Sequence, residues 1–219
     1  MEFAEGMNPA DYDAWYDTPR GRWVGETEYA LAARLLAPQA GDSLLDVGCG
    51  TGWFTRRAAA DDLVATGLDP NSVWLDFARA HSSPALSWVE GDARDLPFAD
   101  ASFDHVLSIA ALCFVDDEHR AVAESVRVAH RSFSIGWLNR ASLLYRQKGR
   151  GGGSGAYRGA HWHTAGEVRD MFVGLPVKNL TLRSAIFLPS GSGFAVRLER
   201  CVPKVLPWGG LLLATGEKI

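Results

Sequence analysis

The stretch Leu44–Phe54, "LLDVGCGTGWF", decides the fold of this chain. Its apolar start predicts a buried strand, and its last residues begin a predicted helix. Between the two, Gly48, Gly50 and Gly52 occupy every second position. Glycine permits a sharp turn and lets a ligand lie against bare backbone, while the following helix directs free N–H groups toward that ligand. The stretch therefore predicts a nucleotide-type cradle.

Strands and helices alternate on both sides of this stretch. A helix is predicted in Glu26–Pro38, and strand–helix pairs follow through "LVATGLDP", "SVWLDFARAH", "LSWVEGDA", "FDHVLSIAALCFV", "EHRAVAESVRVAH" and "RSFSIGWLN". In the tail, "NLTLRSAIFL" and "GGLLLATGEK" read as neighbouring strands joined by "FAVRLERCVPKV". This alternation predicts a doubly wound, mostly parallel α/β sheet with helices on both faces.

Length and charge restrict the class of protein. The 219 residues suit a single domain, and a net charge of −4 gives no basic field for nucleic acid or anionic membrane. The acidic start lacks a signal-peptide pattern, and no apolar run reaches the roughly 20 residues that cross a bilayer. Three widely spaced cysteines indicate a reducing compartment. We therefore expect a cytoplasmic protein, a monomer or homodimer, without membrane insertion.

An acidic residue, Asp69, ends the next predicted strand, 17 positions after Gly52. In dinucleotide-binding folds such a carboxylate reaches the ribose hydroxyls of the ligand. The glycine rhythm here differs from the G-x-G-x-x-G fingerprint that holds a pyrophosphate, which argues against a nicotinamide-dependent oxidoreductase. The alternative is a purely structural glycine turn with an unrelated surface aspartate.

Four motifs give a more specific reading. "LLDVGCGTG", "GLDP" and "EGDARDLPFADASFDHVLS" resemble the first to fourth motifs of the class I S-adenosylmethionine-dependent methyltransferases, in particular the small-molecule group that includes ubiquinone/menaquinone-biosynthesis-type enzymes. The resemblance implies a Rossmann-like seven-stranded sheet with an antiparallel C-terminal strand, in one domain spanning residues 1–219. It also implies methyl transfer from S-adenosylmethionine to a small molecule, S-adenosylhomocysteine as product, and no metal.

The resemblance also implies roles for single residues. Asp69, with Pro70 in the same motif, would bind the ribose hydroxyls, Asp92 and the backbone of Ala93 the adenine ring, and Ser108 would lie beside the methionine part. Asp46 either braces the glycine turn or meets the cofactor's amino group through water; the alternative is that it only caps buried backbone N–H groups. Trp74 either contacts the adenine or packs in the core.

The N-terminal segment, residues 1–25, carries several aromatic side chains, and the resemblance implies that it folds over the cofactor as part of a lid. Tyr16 is a candidate cofactor contact and Tyr12 a candidate acceptor contact, while Arg20 or Arg22 could meet the cofactor carboxylate. The alternative is an aromatic staple that only holds the segment to the sheet.

A second variable region, residues 140–163, is predicted to cap the acceptor. No Asp or Glu occurs from Ser125 to Gly166, and the glycine-rich run Gly149–Gly159 reads as a mobile loop or lid. The basic side chains form either a solvated face or a site for an acidic acceptor. The basic residues of that second reading are Arg146, Lys148, Arg150 and Arg158.

The catalytic base, if the reaction needs one, stays open at this point. His161 or His163 is a candidate on the acceptor side, and His161 is a candidate acceptor contact. Too few ligands surround the pair in sequence for a metal site.

Cys113 is read as a pocket-wall or core residue, at a place where the family often carries histidine. A non-catalytic sensor or scaffold with this fold is therefore a second hypothesis.

Overall fold

The apolar start of the deciding stretch forms β1 (Ser43–Val47), near the centre of a seven-stranded sheet in the computed structural model. The strand order is β3-β2-β1-β4-β5-β7-β6, and only β7 runs antiparallel to its neighbours. This arrangement confirms the predicted fold class. The other strands are β2 (Val64–Asp69), β3 (Ser87–Glu90), β4 (Phe103–Ile109), β5 (Ala129–Leu138), β6 (Val177–Ala185) and β7 (Leu211–Lys218).

Helices cover both faces of the sheet. Successive strand residues point to opposite faces, so Leu44 packs in the core under α2 and α3, while Leu45 packs in the core under α5 and α6. The helices are α1 (Pro9–Trp15), α2 (Pro19–Leu36), α3 (Trp53–Ala60), α4 (Ser72–Ala80), α5 (Glu118–Val128), α6 (Ala165–Asp170) and α7 (Gly193–Cys201).

The structure describes residues 8–219. The first seven residues of the predicted N-terminal lid, which also begin the stretch that lacks a signal-peptide pattern, lie outside that range. None of the helices within 8–219 combines the length and the apolar character needed to cross a membrane.

Two helix boundaries differ from the sequence prediction. The helix predicted from Glu26 begins at Pro19, because Thr18 accepts a hydrogen bond from the N–H of Gly21 at 3.0 Å and proline suits the first helical position. Residues 1–25 are therefore not one lid segment, since they end in the first turns of α2. The predicted connection between β6 and β7 contains α7, which Ser192 caps.

The predicted acceptor cap, residues 140–163, folds into short helical turns over Tyr145–Gly149, Arg150–Gly152 and Gly155–Tyr157. The Tyr157 ring lies 5.7 Å from the ring of Trp162, which is buried. The glycine-rich run, predicted to lack core residues of its own, is thus anchored by a tyrosine against the body of the protein.

Candidate functional site

The site lies at the carboxyl edge of the sheet, where the strand order reverses. β1 and β4 are neighbours there, although β2 and β3 separate them in the chain. In open α/β sheets this reversal opens a crevice for ligands. The glycine turn after β1 and the residues Ile109–Ala111 after β4 form its two walls.

The glycine turn needs its glycines. Gly48, Gly50 and Gly52 have φ values of 76°, 56° and 80°, which other residues rarely adopt. A Cβ on Gly48 would lie 2.4 Å from the Cβ of Ala111, and one on Gly52 would lie 2.3 Å from the ring of Trp88. Space as well as conformation therefore excludes a side chain at these positions.

Asp69 holds this turn in place. It is buried at the end of β2, where one carboxylate oxygen accepts the N–H of Gly50 at 2.9 Å and the other accepts the N–H of Asn71 at 2.9 Å. Burial raises the pKa of Asp69, and the two backbone hydrogen bonds oppose that rise. The carboxylate is thus engaged with backbone, and its predicted role toward ribose hydroxyls stays a prediction.

Asp46 braces the start of α3. The carboxylate is buried in β1 and accepts a hydrogen bond from the Thr55 hydroxyl at 2.7 Å. This contact favours the bracing alternative. Burial, followed by the nearby charge of Asp69, raises the pKa of Asp46 to about 7, against a hydrogen bond from Thr55 that lowers it.

The raised pKa of Asp46 predicts how the free energy of unfolding depends on pH. Between its unfolded pKa, about 4, and its folded pKa the folded state binds one more proton, so ionisation of Asp46 lowers stability as the pH rises. Asp46→Asn does not ionise. We expect its free energy of unfolding to improve relative to the wild type by about 2 kcal/mol between pH 5 and pH 8. Urea unfolding at both pH values measures this difference.

The matched control for this prediction is Asp104→Asn. Ser43 hydrogen-bonds hold the pKa of Asp104 below its usual range, so this carboxylate is ionised in both states at pH 5. The difference in free energy of unfolding between Asp104→Asn and the wild type should stay constant between pH 5 and pH 8. Parallel pH curves for the wild type and Asp46→Asn would contradict the assignment of a raised pKa to Asp46.

A small cavity of about 60 Å³ lies against the glycine turn. It brings together five of the predicted site residues: Tyr12, Tyr16, Gly48, Gly50 and Trp74. The Trp74 side chain is buried, and the Tyr12 ring packs on it with a centroid distance of 5.0 Å. Core packing and a cavity wall are therefore both roles of Trp74. The rest of the wall is Cys49, Thr51, Trp53, Phe54, Ile109, Ala110, Ala111, Phe114 and Ala156.

Seven predicted cofactor residues lie outside this cavity wall: Asp46, Gly52, Asp69, Pro70, Asp92, Ala93 and Ser108. Asp92 forms an ion pair with Arg94 at 2.6 Å, and that guanidinium lowers the pKa of the carboxyl. The Ser108 hydroxyl is buried and donates to the carbonyl of Val47 at 2.8 Å, so its hydrogen bond joins β1 to β4. Ala93 is buried beside Asp92, and Pro70 is half-buried after β2.

A larger cavity, of about 410 Å³, adjoins the small one. The two share a wall of mainly aromatic and apolar residues: Tyr12, Tyr16, Phe54, Ile109, Ala110, Phe114 and Ala156. Its volume suits a small-molecule ligand. Tyr12, the predicted acceptor contact, thus stands between the two spaces. A ligand in either cavity would meet this shared wall.

The predicted cap supplies only part of the larger cavity. Leu144, Lys148 and the segment 154–157 line it, whereas Arg146, Arg150 and Arg158 are exposed and outside the lining. Three of the four side chains proposed for an acidic acceptor therefore do not face this cavity. This placement favours the solvated-face alternative for the arginines.

His161 and His163 are held by a carboxylate that their sequence neighbourhood did not contain. The buried Glu118 accepts hydrogen bonds from His161 at 2.8 Å, from His163 at 2.9 Å and from the Trp137 indole at 3.0 Å. Neither histidine lines the small cavity or the larger one. The two imidazoles fasten the end of the cap to α5, and the structure gives no support to His161 as an acceptor contact.

Cys113 is a core residue. It is fully buried, and its Sγ accepts the N–H of Leu138 at 3.2 Å. Burial raises the pKa of this thiol to about 12, so it stays protonated and unreactive at neutral pH. It lines neither the small nor the larger cavity. The core alternative therefore describes Cys113, and the pocket-wall role does not.

Sequence reasoning missed one face of α2. Arg20, Val24 and Glu28 all line the larger cavity, as their spacing of four residues along the helix requires. The signal was present in "TPRGRWVGE", where Thr18 and Pro19 mark a helix start before Glu26. Within residues 8–219, no group of three or more His, Cys, Asp or Glu side chains could hold a metal ion.

Comparison with known proteins relates part of this chain to methyltransferases. Residues 45–132 match a family model described as a methyltransferase domain. An uncharacterized protein of Mycobacterium tuberculosis is 35% identical over 193 residues, which cover 86% of this chain and 65% of that protein. A malonyl-[acyl-carrier protein] O-methyltransferase of Erwinia pyrifoliae is 36% identical over 114 residues, 49% of this chain and 43% of that enzyme. The chain thus spans less than two thirds of these relatives.

Solved structures agree with the fold. An S-adenosylmethionine-dependent methyltransferase from Thermotoga maritima superposes with a TM-score of 0.76 at 23% identity, covering 96% of both chains. One from Mesorhizobium loti gives a TM-score of 0.64 at 21% identity, covering 90% of this chain and all of that one. At these identities the likeness concerns the fold alone.

Proposed function

Because residues 45–132 match a methyltransferase-domain model, we propose that this chain transfers a methyl group from S-adenosylmethionine to a small molecule. The observation that carries the proposal is the pair of adjoining cavities with one shared wall. A donor at the glycine turn and an acceptor in the larger cavity would meet across Tyr12, Ala110 and Phe114. Alignment of two bound reactants supplies much of the rate in such a transfer.

The cofactor residues fit that donor. The glycine turn is a cradle that a single Cβ would fill, so only a ligand or water reaches the bare backbone there. When bound, S-adenosylmethionine supplies a methyl group activated by its sulfonium. We assign Gly48, Gly50, Gly52 and Asp69 to the cradle, and Asp92 with Ala93 to the adenine edge. To bind adenine, the Asp92 carboxylate would release Arg94 and accept a hydrogen bond from the adenine amino group instead.

Cofactor entry requires movement of the N-terminal segment. The cavity at the glycine turn holds about 60 Å³, far less than a nucleoside needs, and α1 closes it. Two contacts hold α1 down: Tyr12 packs on Trp74, and Asp13 pairs with Arg56 of α3 at 2.7 Å. We propose that residues 8–16 act as the predicted lid and that Tyr16 then meets the cofactor.

Calorimetry with three ligands tests the function. We expect the wild type to bind S-adenosylmethionine and S-adenosylhomocysteine, and to bind NADH at least about 100-fold more weakly, because the turn lacks the pyrophosphate spacing. Release of S-adenosylhomocysteine over a panel of acceptors then measures turnover. NADH binding without S-adenosylmethionine binding would favour an oxidoreductase. Cofactor binding without turnover on any acceptor would favour a sensor or scaffold.

We propose a cytoplasmic location and a monomeric or homodimeric state for this protein. The charge inside the larger cavity does bear on the acceptor. Of the basic residues proposed for an acidic acceptor, only Lys148 lines it, at an exposed position. The acidic-acceptor hypothesis therefore has little support from the cavity.

A further inference from the structure

Glu28 is the unusual residue of the larger cavity. It lies on the cavity face of α2, one turn after Val24 and one turn before Ala32, and its side chain is half-buried at the cavity wall. Within residues 8–219 its carboxylate has no hydrogen bond and no ion pair. Buried carboxylates are normally paired, because an isolated charge in an apolar site is costly. A carboxylate left without a partner at a cavity wall is available to a ligand.

The other charges of the cavity do not neutralise Glu28. Asp11 and Lys148 are exposed, and their charges are opposite. Arg20 is half-buried and donates its Nε–H to the carbonyl of Pro189 at 2.6 Å. Glu199, from α7, is neutralised by Lys204 and accepts the N–H groups of Ile186 and Phe187. Glu28 is thus the one acidic group in the described cavity wall that lacks both water-exposed surroundings and a partner.

Aromatic rings surround the same space. Tyr12, Tyr16 and Tyr157 line the cavity, and burial followed by the charge of Glu28 raises the pKa of Tyr157 to about 12. Burial, followed by the charge of Glu199, raises the pKa of Glu28 to about 8. A cation beside Glu28 would gain both from the carboxylate and from the ring faces. A ligand ammonium would stabilise the ionised form of Glu28, whereas an anion would favour the protonated carboxyl and gain no such attraction.

We infer that Glu28 is the specificity-determining residue of the larger cavity and binds the amino group of an acceptor that carries a basic amine beside an apolar or aromatic body. The inference rests on the proposed function, because it takes the larger cavity as the acceptor site. It requires only a hydrogen-bonded ion pair between the ligand ammonium and the carboxylate. The remaining surface of the ligand would pack on the tyrosine rings.

Three small probes of one shape and different charge test the inference: 2-phenylethylamine, 2-phenylethanol and 3-phenylpropanoate. Ligand-observed NMR titration of the full chain, saturated with S-adenosylhomocysteine, gives their Kd values. We expect the amine to bind the wild type about tenfold more tightly than the carboxylate. Glu28→Gln should weaken amine binding about tenfold and remove that preference, because the amide keeps the shape and loses the charge.

The matched control is Glu26→Gln, the same substitution on the same helix. Glu26 faces solvent and pairs with Arg57 outside the larger cavity, so we expect amine binding to change less than about twofold. Far-UV circular dichroism verifies that both variants are folded. Equal amine binding by wild type and Glu28→Gln, tighter binding of the carboxylate or the alcohol, or no amine binding by the wild type would each overturn the inference.

Binding of S-adenosylhomocysteine to the same three proteins separates the two proposals. Unchanged cofactor binding together with no amine preference refutes the inference and leaves the proposed function standing. If the cofactor does not bind, the titrations are run on the free protein. An amine preference that depends on Glu28 would then support the inference while the proposed function fails.

Discussion

Replacing Gly48 with alanine is expected to lower the free energy of unfolding by about 2–5 kcal/mol and to abolish cofactor binding. Gly48 has a φ of 76°, and its new Cβ would lie 2.4 Å from the Cβ of Ala111. Neither atom belongs to a flexible side chain, so the backbones after β1 and β4 must separate. That movement opens the crevice at which the ligand would bind. Urea unfolding and calorimetry with S-adenosylhomocysteine measure the two effects.

Two variants divide the cost of Gly48→Ala into its parts. Gly41 also has a positive φ, 87°, but nothing lies within 4 Å of a Cβ placed there. Gly41→Ala should therefore lose only about 1–2 kcal/mol, the cost of the left-handed backbone alone. Combining Gly48→Ala with Ala111→Gly should recover the part that comes from the clash. An equal loss for Gly48→Ala and Gly41→Ala would mean that the contact with Ala111 costs nothing.

Replacing Asp69 with alanine should lower the stability by about 2–4 kcal/mol and weaken cofactor binding by about 100-fold. The substitution leaves two backbone N–H groups, those of Gly50 and Asn71, without their acceptor. The middle of the glycine turn then loses its attachment to β2. Asp69→Asn keeps one acceptor oxygen and should lie between the wild type and the alanine variant. Unchanged affinity for S-adenosylhomocysteine in Asp69→Ala would remove Asp69 from the site.

Asp104, near the start of β4, offers a matched control at the opposite edge of the sheet. Its carboxylate also accepts two hydrogen bonds, from the N–H of Ser43 at 2.9 Å and from the Ser43 hydroxyl at 2.7 Å. Asp104→Ala should cost a similar amount of stability, yet leave cofactor binding unchanged, because it acts at the amino end of β1. Loss of binding in both variants would mean that Asp69 acts through global stability. Weaker binding in Asp69→Ala alone would assign it to the site.

The sequence predicted most of the sheet and the glycine turn. The family match confirms the resemblance that the four motifs indicated, and the strand order confirms the fold class. These features depend on short-range rules: an alternating or continuous apolar pattern, and a turn that only glycine fits. The missed start of α2 followed the same rules, since Thr18 and Pro19 form a standard helix start.

The tertiary structure decided which polar side chains meet. Glu118 lies 43 positions before His161, and packing of the cap on α5 brings the two side chains into contact. The region from Ser125 to Gly166, which has no Asp or Glu of its own, is thereby paired with a carboxylate. Asp69 turns both oxygens to the backbone because β1 and β2 lie side by side.

The sequence by itself therefore determined the fold, the four motifs and the position of the glycine turn. Only the tertiary structure decided that Glu28 faces a cavity without a partner, while Arg146, Arg150 and Arg158 remain exposed. The physical reason is that backbone conformation and apolar periodicity are set by neighbours in the chain. The solvation and pairing of a charge are set by whatever distant segments pack around it.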